Sequence, residues 1–286
     1  MYPVATMNTN KSLVFLACFV FVMAIVSVER QWSSSLDLLL YDHHIKAMAE
    51  KPAVDVVIVA IDDASLQAIG EWPWSRAFHA EAIDLLYAGG AKALAYNLVF
   101  THAREDDVAG DLSLKDVLER HPVVLPVYLS GVNSGDNVSY SEVLPHPMFA
   151  ASAVLGHVNM SLDKDAVART VNLQQGLAHK KWPHFSQQLL RLSSPYHFAP
   201  HKKSLPEKIS HQQLRYIPYA GEAEGFKQVS FLQLLTGRVP AHFFQDKIVL
   251  VGVTANSLGD PLTTPLTSAG QTMSAVEVNA NIFQGL

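Results

Sequence analysis

Val54–Ile61 reads VDVVIVAI, and Asp62-Asp63 stop it. From Val56 the run is apolar and mostly β-branched, with no polar residue on either side of a pleat. A strand with this pattern is buried on both faces, as in a parallel sheet covered by helices. Upstream, Ser33–Glu50 carries Leu36, Leu39, Leu40, Ile45 and Met48 as a rough helical stripe, and Lys51-Pro52 end it. Downstream, Ala77–Tyr87 has helical periodicity up to Gly89-Gly90, and Ala91–Val99 reads as a second strand. Strand, helix and strand in that order predict a right-handed βαβ unit.

The pattern continues with a helix over Asp111–Arg120 and a strand over His121–Leu129. Ser130–Pro147 is rich in Gly, Asn, Ser and Pro and reads as a loop. Gly156–Met160 and Thr170–Gln174 read as a strand pair around the turn Asp163-Lys164-Asp165. Pro183–Leu192 reads as a helix with proline in its first turn, and Ser193–Lys208 as irregular. Leu214–Ile217 is a short strand, Val229–Leu235 a short helix, Lys247–Gly252 (KIVLVG) another buried strand, and Ala275–Phe283 a last helix. The expected fold is α/β, a single domain with a largely parallel or mixed sheet flanked by helices.

At the amino end, Ser12–Val28 (SLVFLACFVFVMAIVSV) carries no charge. About 17 helical residues span roughly 26 Å, enough for a thin bilayer. The run ends without a small-x-small cleavage site, so an uncleaved signal anchor is expected rather than a removed signal peptide. Residues 1–11 are then a short cytoplasmic tail, 12–28 a transmembrane anchor and 29–286 an extracytoplasmic domain at the inner membrane.

Composition excludes several classes. The chain has 286 residues, a net charge of −5 and only 16% charged residues, against roughly 25% in an average protein. Long disorder is not expected. A mildly acidic chain lacks the basic face that nucleic acid requires, so no nucleic-acid partner is expected. Cys18 is the only cysteine, which excludes internal disulfides and cysteine-based zinc sites. No G-x-S-x-G, H-E-x-x-H or kinase signature is present. The chain is expected to be neither an enzyme nor a holder of a cofactor or metal.

Several blocks, in order, resemble one family, the type-two CHASE domain, an extracellular sensor module associated with cyclases and histidine kinases. They are Val56–Trp74 (VVIVAIDDASLQAIGEWPW), Ser75–Phe100, Val123–Pro126, Leu155–Asn159 and Val239–Asp260 with the run Val276–Asn281. The resemblance covers roughly Ser33–Leu286. It implies a periplasmic or extracellular sensor domain of a membrane-bound bacterial receptor. The cytoplasmic output implied is a nucleotide cyclase, a diguanylate cyclase or phosphodiesterase, or a kinase, none of it within these residues. The chain then reads as the sensor part of a longer protein. It departs from the family pattern at Asn97, where an acid is usual, at Thr101-His102-Ala103, where an acidic-proline step is usual, and at Ser274-Ala275, where Pro-Gly is usual.

Candidate contacts follow from the ends of the strands, where open α/β sheets bind ligands. Asp62, Asp63, Trp72 and Trp74 are walls of a pocket, or else Asp62 and Ser65 cap a short helix and Trp72 and Trp74 seal the core edge. Arg76 and His79 follow the candidate N-cap Ser75 and either hold an anion or lie on a plain capped helix. Asn97 closes the second strand. Thr254 and Asp260 lie in the loop after KIVLVG, which fits neither nucleotide-loop spacing. Among 13 histidines, His157 sits at a predicted strand edge and is the candidate pH reporter. The acidic loop Glu105-Asp106-Asp107 with Asp111 is either a cation site or a solvated loop. The expected partners are the membrane, a second copy in a homodimer, and an unknown small-molecule or envelope-protein signal. The competing expectation is a membrane-anchored protein-binding module of the cell envelope with no small-molecule ligand.

Overall fold

The computed structural model describes residues 13–21, 32–49, 52, 55–134, 137–177, 180–194, 210–221, 224–259, 261–267 and 271–286. The chain divides into two compact units, Met1–Met48 and Ala49–Leu286. In the first, residues 13–21 (α1) and Trp32–Met48 (α2) are helical. Leu36, Leu39, Leu40 and Met48 of the expected stripe are exposed on α2. Among the described residues no helix is long and apolar enough to cross a membrane. Of the span expected at 12–28, only 13–21 lie within them.

The second unit is an α/β domain. Its elements run β1 (Val56–Ile61), α3 (Asp63–Ile69), α4 (Arg76–Ala88), β2 (Ala93–Tyr96), α5 (Val108–Arg120), β3 (Val123–Ser134), β4 (Asn137–Val143) and α6 (Pro147–Ala150). They continue with β5 (Val154–His157), β6 (Ser161–Leu162), β7 (Ala168–Leu177), β8 (Lys180–Pro183), α7 (Phe185–Ser193), β9 (Ser210–Tyr216) and β10 (Lys227–Ser230). The last are α8 (Phe231–Leu235), the 3₁₀ turn Ala241–Phe244, β11 (Ile248–Val253) and α9 (Ala275–Gln284).

The main sheet has seven strands in the order β10-β1-β11-β2-β3-β4, with β5 also on β3. Every pairing is parallel except β3 with β4. β1 is buried at all six positions, as its composition requires. Its alternation divides the core. Val57, Val59 and Ile61 face α4, α5 and α8, while Val56 and Ile58 face α7 and α9. A smaller antiparallel sheet, β6-β7-β8 with β9 on β7, completes the domain.

Three expectations change and one is extended. The expected β1–α4–β2 unit has a strand inserted, because β11 lies between β1 and β2, parallel to both. KIVLVG is apolar on both faces, and only a central place in the sheet buries it so. Within the stretch expected as a loop, residues 130–134 and 137–143 are strand. β3 runs to Ser134 and pairs antiparallel with β4. Their Gly, Asn and Ser content reads as loop because a ribbon paired mainly with itself needs no two-sided burial. The pair expected from 156–160 and 170–174 splits: β5 joins β3, and β7 pairs with β6, β8 and β9. Pro183 ends a strand rather than starting a helix. α7 begins at Phe185, capped by His184, whose Nδ1 accepts from the Ser186 amide at 3.2 Å. The irregular stretch expected at 193–208 lies almost wholly outside the described residues.

Candidate functional site

β1 and β11 end side by side at the centre of the sheet. The amides of Thr254 and Ala255 both donate to the Ile61 carbonyl, at 3.0 and 3.1 Å. This ties the loop after β11 to the end of β1. Beyond these ends lies a cavity of about 610 Å³. Asp62, Asp63, Thr254 and Asn256 line it from the strand ends, Glu224 and Gln228 from the β10 side, and Ser274 and Glu277 from the first turn of α9.

α9 reaches this position because Gly252 lets it. A Cβ at Gly252 would lie 2.7 Å from the Val276 Cβ, so only glycine lets the helix lie against β11 there. Glu277 is 2% exposed, and its Oε1 accepts from the Gly225 amide at 3.0 Å. Burial raises its carboxyl to about 7, against the opposing effect of the backbone donors of Gly225 and Glu224. Ser274 caps α9 without a side-chain cap bond, and its Oγ is buried with no partner. The described lining carries four carboxylates (Asp62, Asp63, Glu224 and Glu277) and no basic residue. Among the described residues, no three His, Cys, Asp or Glu side chains are placed to hold a metal ion.

Asp62 also has a structural task. Its Oδ1 accepts from the Ser65 amide at 2.8 Å, capping α3, and from the Ser230 hydroxyl at 3.0 Å. The Ser65 hydroxyl accepts from the Leu232 amide at 3.1 Å, so the starts of α3 and α8 are joined through one carboxylate. Asp62 is therefore both cap and cavity wall.

The other expected contacts scatter. Trp72 and Arg76 line a second cavity, at the carboxyl end of β2. Trp74 and His79 do not form a wall; both are core residues, 2% and 0% exposed. Trp74 donates its indole N–H to the Gly70 carbonyl at 3.0 Å. His79 is enclosed by Trp72, Trp74, Phe100 and Phe231, with Nδ1 3.0 Å from the Tyr96 hydroxyl. Burial, aided by the charge of Arg76, lowers it to about 3, so it stays neutral. The Asn97 amide donates to the Val251 carbonyl at 2.7 Å, and its Oδ1 is buried without a partner. Asn97 lines neither cavity. His157 is not at an open edge; it is fully buried, its ring 4.9 Å from that of His184. Asp260 lies outside the described residues.

The acidic loop is a structural device. Asp106 pairs with Arg104 at 2.6 Å. Asp107 caps α5 by accepting from the Gly110 amide at 3.1 Å, and Asp111 accepts from the Arg104 amide at 2.5 Å. Sequence reading missed Glu224, Ser274 and Glu277. The last had a signal: a lone acid inside the otherwise uncharged run Val276–Phe283, a helix buried all round. Glu224 and Ser274 carry no such mark.

A family model described as the CHASE2 domain matches residues 16–286, nearly the whole chain. No curated protein and no solved structure matches it.

Proposed function

The chain belongs to the CHASE2 domain family, a family of sensor domains of signalling proteins, and from that premise we propose that it is the extracytoplasmic input domain of a membrane-bound receptor. The cue binds in the cavity beyond β1 and β11. The observation that carries this reading is that one wall of the cavity is the first turn of α9. A ligand that contacts Ser274 and Glu277 in one position of α9 and not in another shifts the balance between the two. Only such differential contact shifts an equilibrium; tight binding alone does not. The described lining, with four carboxylates and no basic residue, favours a ligand that carries positive charge. The anchor at 12–28, a periplasmic location, a homodimer and a cytoplasmic output belong to the same reading.

The test is a chimera in which this chain replaces the input domain of a membrane-bound histidine kinase. Thr254→Trp blocks the cavity from the β11 loop and is expected to change basal autophosphorylation several-fold. Glu119→Trp, on an exposed position of α5, is expected to leave it unchanged. Equal phosphorylation in the two removes the cavity from signalling.

A further inference from the structure

The second cavity, about 440 Å³, has a different chemistry. It lies where the chain leaves β2 and meets the first turn of α4. Arg76, Arg104 and His102 line it together with Trp72, Leu98 and Phe100, and the lining contains no carboxylate. Arg76 is the unusual group. It is only 8% exposed, yet its Nε is buried without a hydrogen-bond partner. Its ion pair, with Asp111, is long at 3.9 Å. The guanidinium carbon sits 4.6 Å from the centre of the Phe100 ring, a cation–π contact that fixes the group but satisfies none of its N–H donors. A buried guanidinium costs free energy unless its donors are met.

Arg104 differs. It is tied to the Pro73 and Trp74 carbonyls at 2.7 and 3.3 Å and to Asp106, so it shapes the rim and adds charge. The first amides of α4 are also taken. That of Arg76 donates to Asp107 Oδ2 at 3.1 Å and that of Ala77 to Ser75 Oγ at 3.2 Å. Recognition of an anion therefore falls to the Arg76 guanidinium, with the positive end of a 13-residue helix behind it.

We propose that this cavity is a binding site for a small carboxylate with a flat apolar body, the carboxylate on Arg76 and the body between Trp72, Leu98 and Phe100. The planar fork of arginine matches a carboxylate with two parallel hydrogen bonds. The apolar walls favour a carboxylic acid over inorganic phosphate, which has nothing to bury there. The proposal does not depend on the acidic cavity beyond β1 and β11, whose charge is opposite.

The test uses the full chain in detergent micelles, titrated with benzoate, benzamide and inorganic phosphate by calorimetry and tryptophan fluorescence. Benzoate is expected to bind saturably and to change the Trp72 emission, a change absent in Trp72→Phe. Benzamide, which keeps the ring and loses the charge, is expected to bind about tenfold or more weakly, as is benzoate to Arg76→Lys. Equal affinity for benzoate and benzamide, or no saturable benzoate binding at millimolar concentration, overturns the proposal. So does tighter binding of phosphate than of benzoate. If Arg76→Lys does not fold, the comparison of ligands on the unaltered chain still decides.

Discussion

Buried side chains make stability depend on acidity in opposite directions, Glu277 in one and His79 and His184 in the other. Glu277 is raised from an ordinary 4.5 to about 7. Between these values the folded chain holds a proton that the unfolded chain has released. Its stabilising effect is therefore complete below pH 4.5 and is lost as pH rises towards 7. Glu277→Gln keeps an acceptor for the Gly225 amide and removes the charge. It is expected to be more stable than the unaltered chain above pH 7, by on the order of 2 kcal/mol, and equal to it at pH 4. Urea unfolding midpoints across this range check it. His79 is lowered from 6.5 to about 3. Its contribution is present above pH 6.5 and is lost as pH falls towards 3, because the unfolded chain takes up a proton that the folded one refuses. His79→Leu is expected to reduce the acid slope by about one proton. Losing the partner of the Tyr96 hydroxyl costs about 1–3 kcal/mol at pH 8. An unchanged slope would show that His79 is not the group that resists acid. Glu277 had a mark in the sequence, as a lone acid in an uncharged run, but His79 had none, because a histidine on a helix looks the same whether its turn faces water or five aromatic rings.

At the scale of elements, Gly252 and α9 are the pair on which the cavity depends. Gly252→Ala places a methyl against Val276 and is expected to cost about 1–3 kcal/mol, the usual range for overpacking. Val276→Ala in the same chain is expected to recover most of that loss. Chemical denaturation of the single and double variants tests it, and additive losses would mean that the two side chains do not meet. The elements themselves were largely readable. β1, β11, α4, α5 and α9 appear within a few residues of their expected ends, because two-sided burial and helical spacing leave strong marks. What failed was neighbourhood. Nothing in Val54–Ile61 announces that Ile248–Val253 will lie beside it, since a central strand accepts any apolar partner. The β3–β4 ribbon failed for the opposite reason, its composition being that of turns. Arg169 shows a third kind of silence. It is 2% exposed and grips Asp163 and Asp165, each at 2.8 Å, so the turn Asp163-Lys164-Asp165 is clamped from within.

For the domain as a whole, the sheet order decides which candidates meet. Asp62, Asp63 and Thr254 come together because β11 inserts next to β1. Trp72 and Arg76 lie apart from them because β2 stands one strand further along. Sequence reasoning found the strand ends but put Trp72 in one pocket wall with Asp62 and Asp63, residues that the fold divides between two cavities of opposite charge. Charge sorting of this kind appears only when the order of strands is known. The enclosure of α9 has a consequence for tempo. Val276–Phe283 is buried at every position, against β1 and β11 with α7 beside it, and the amides of Ala220 and Gly225 donate to its Asn281 and Glu277 side chains. Such a rod cannot move by fraying or bending alone; its neighbours must repack with it. Collective repacking belongs to microseconds and milliseconds rather than to the nanoseconds of loops. If α9 passes on a cue, as proposed, brief fluctuations in the surroundings average out against so slow an element, and a cue that persists is the one transmitted: the helix would act as a low-pass filter.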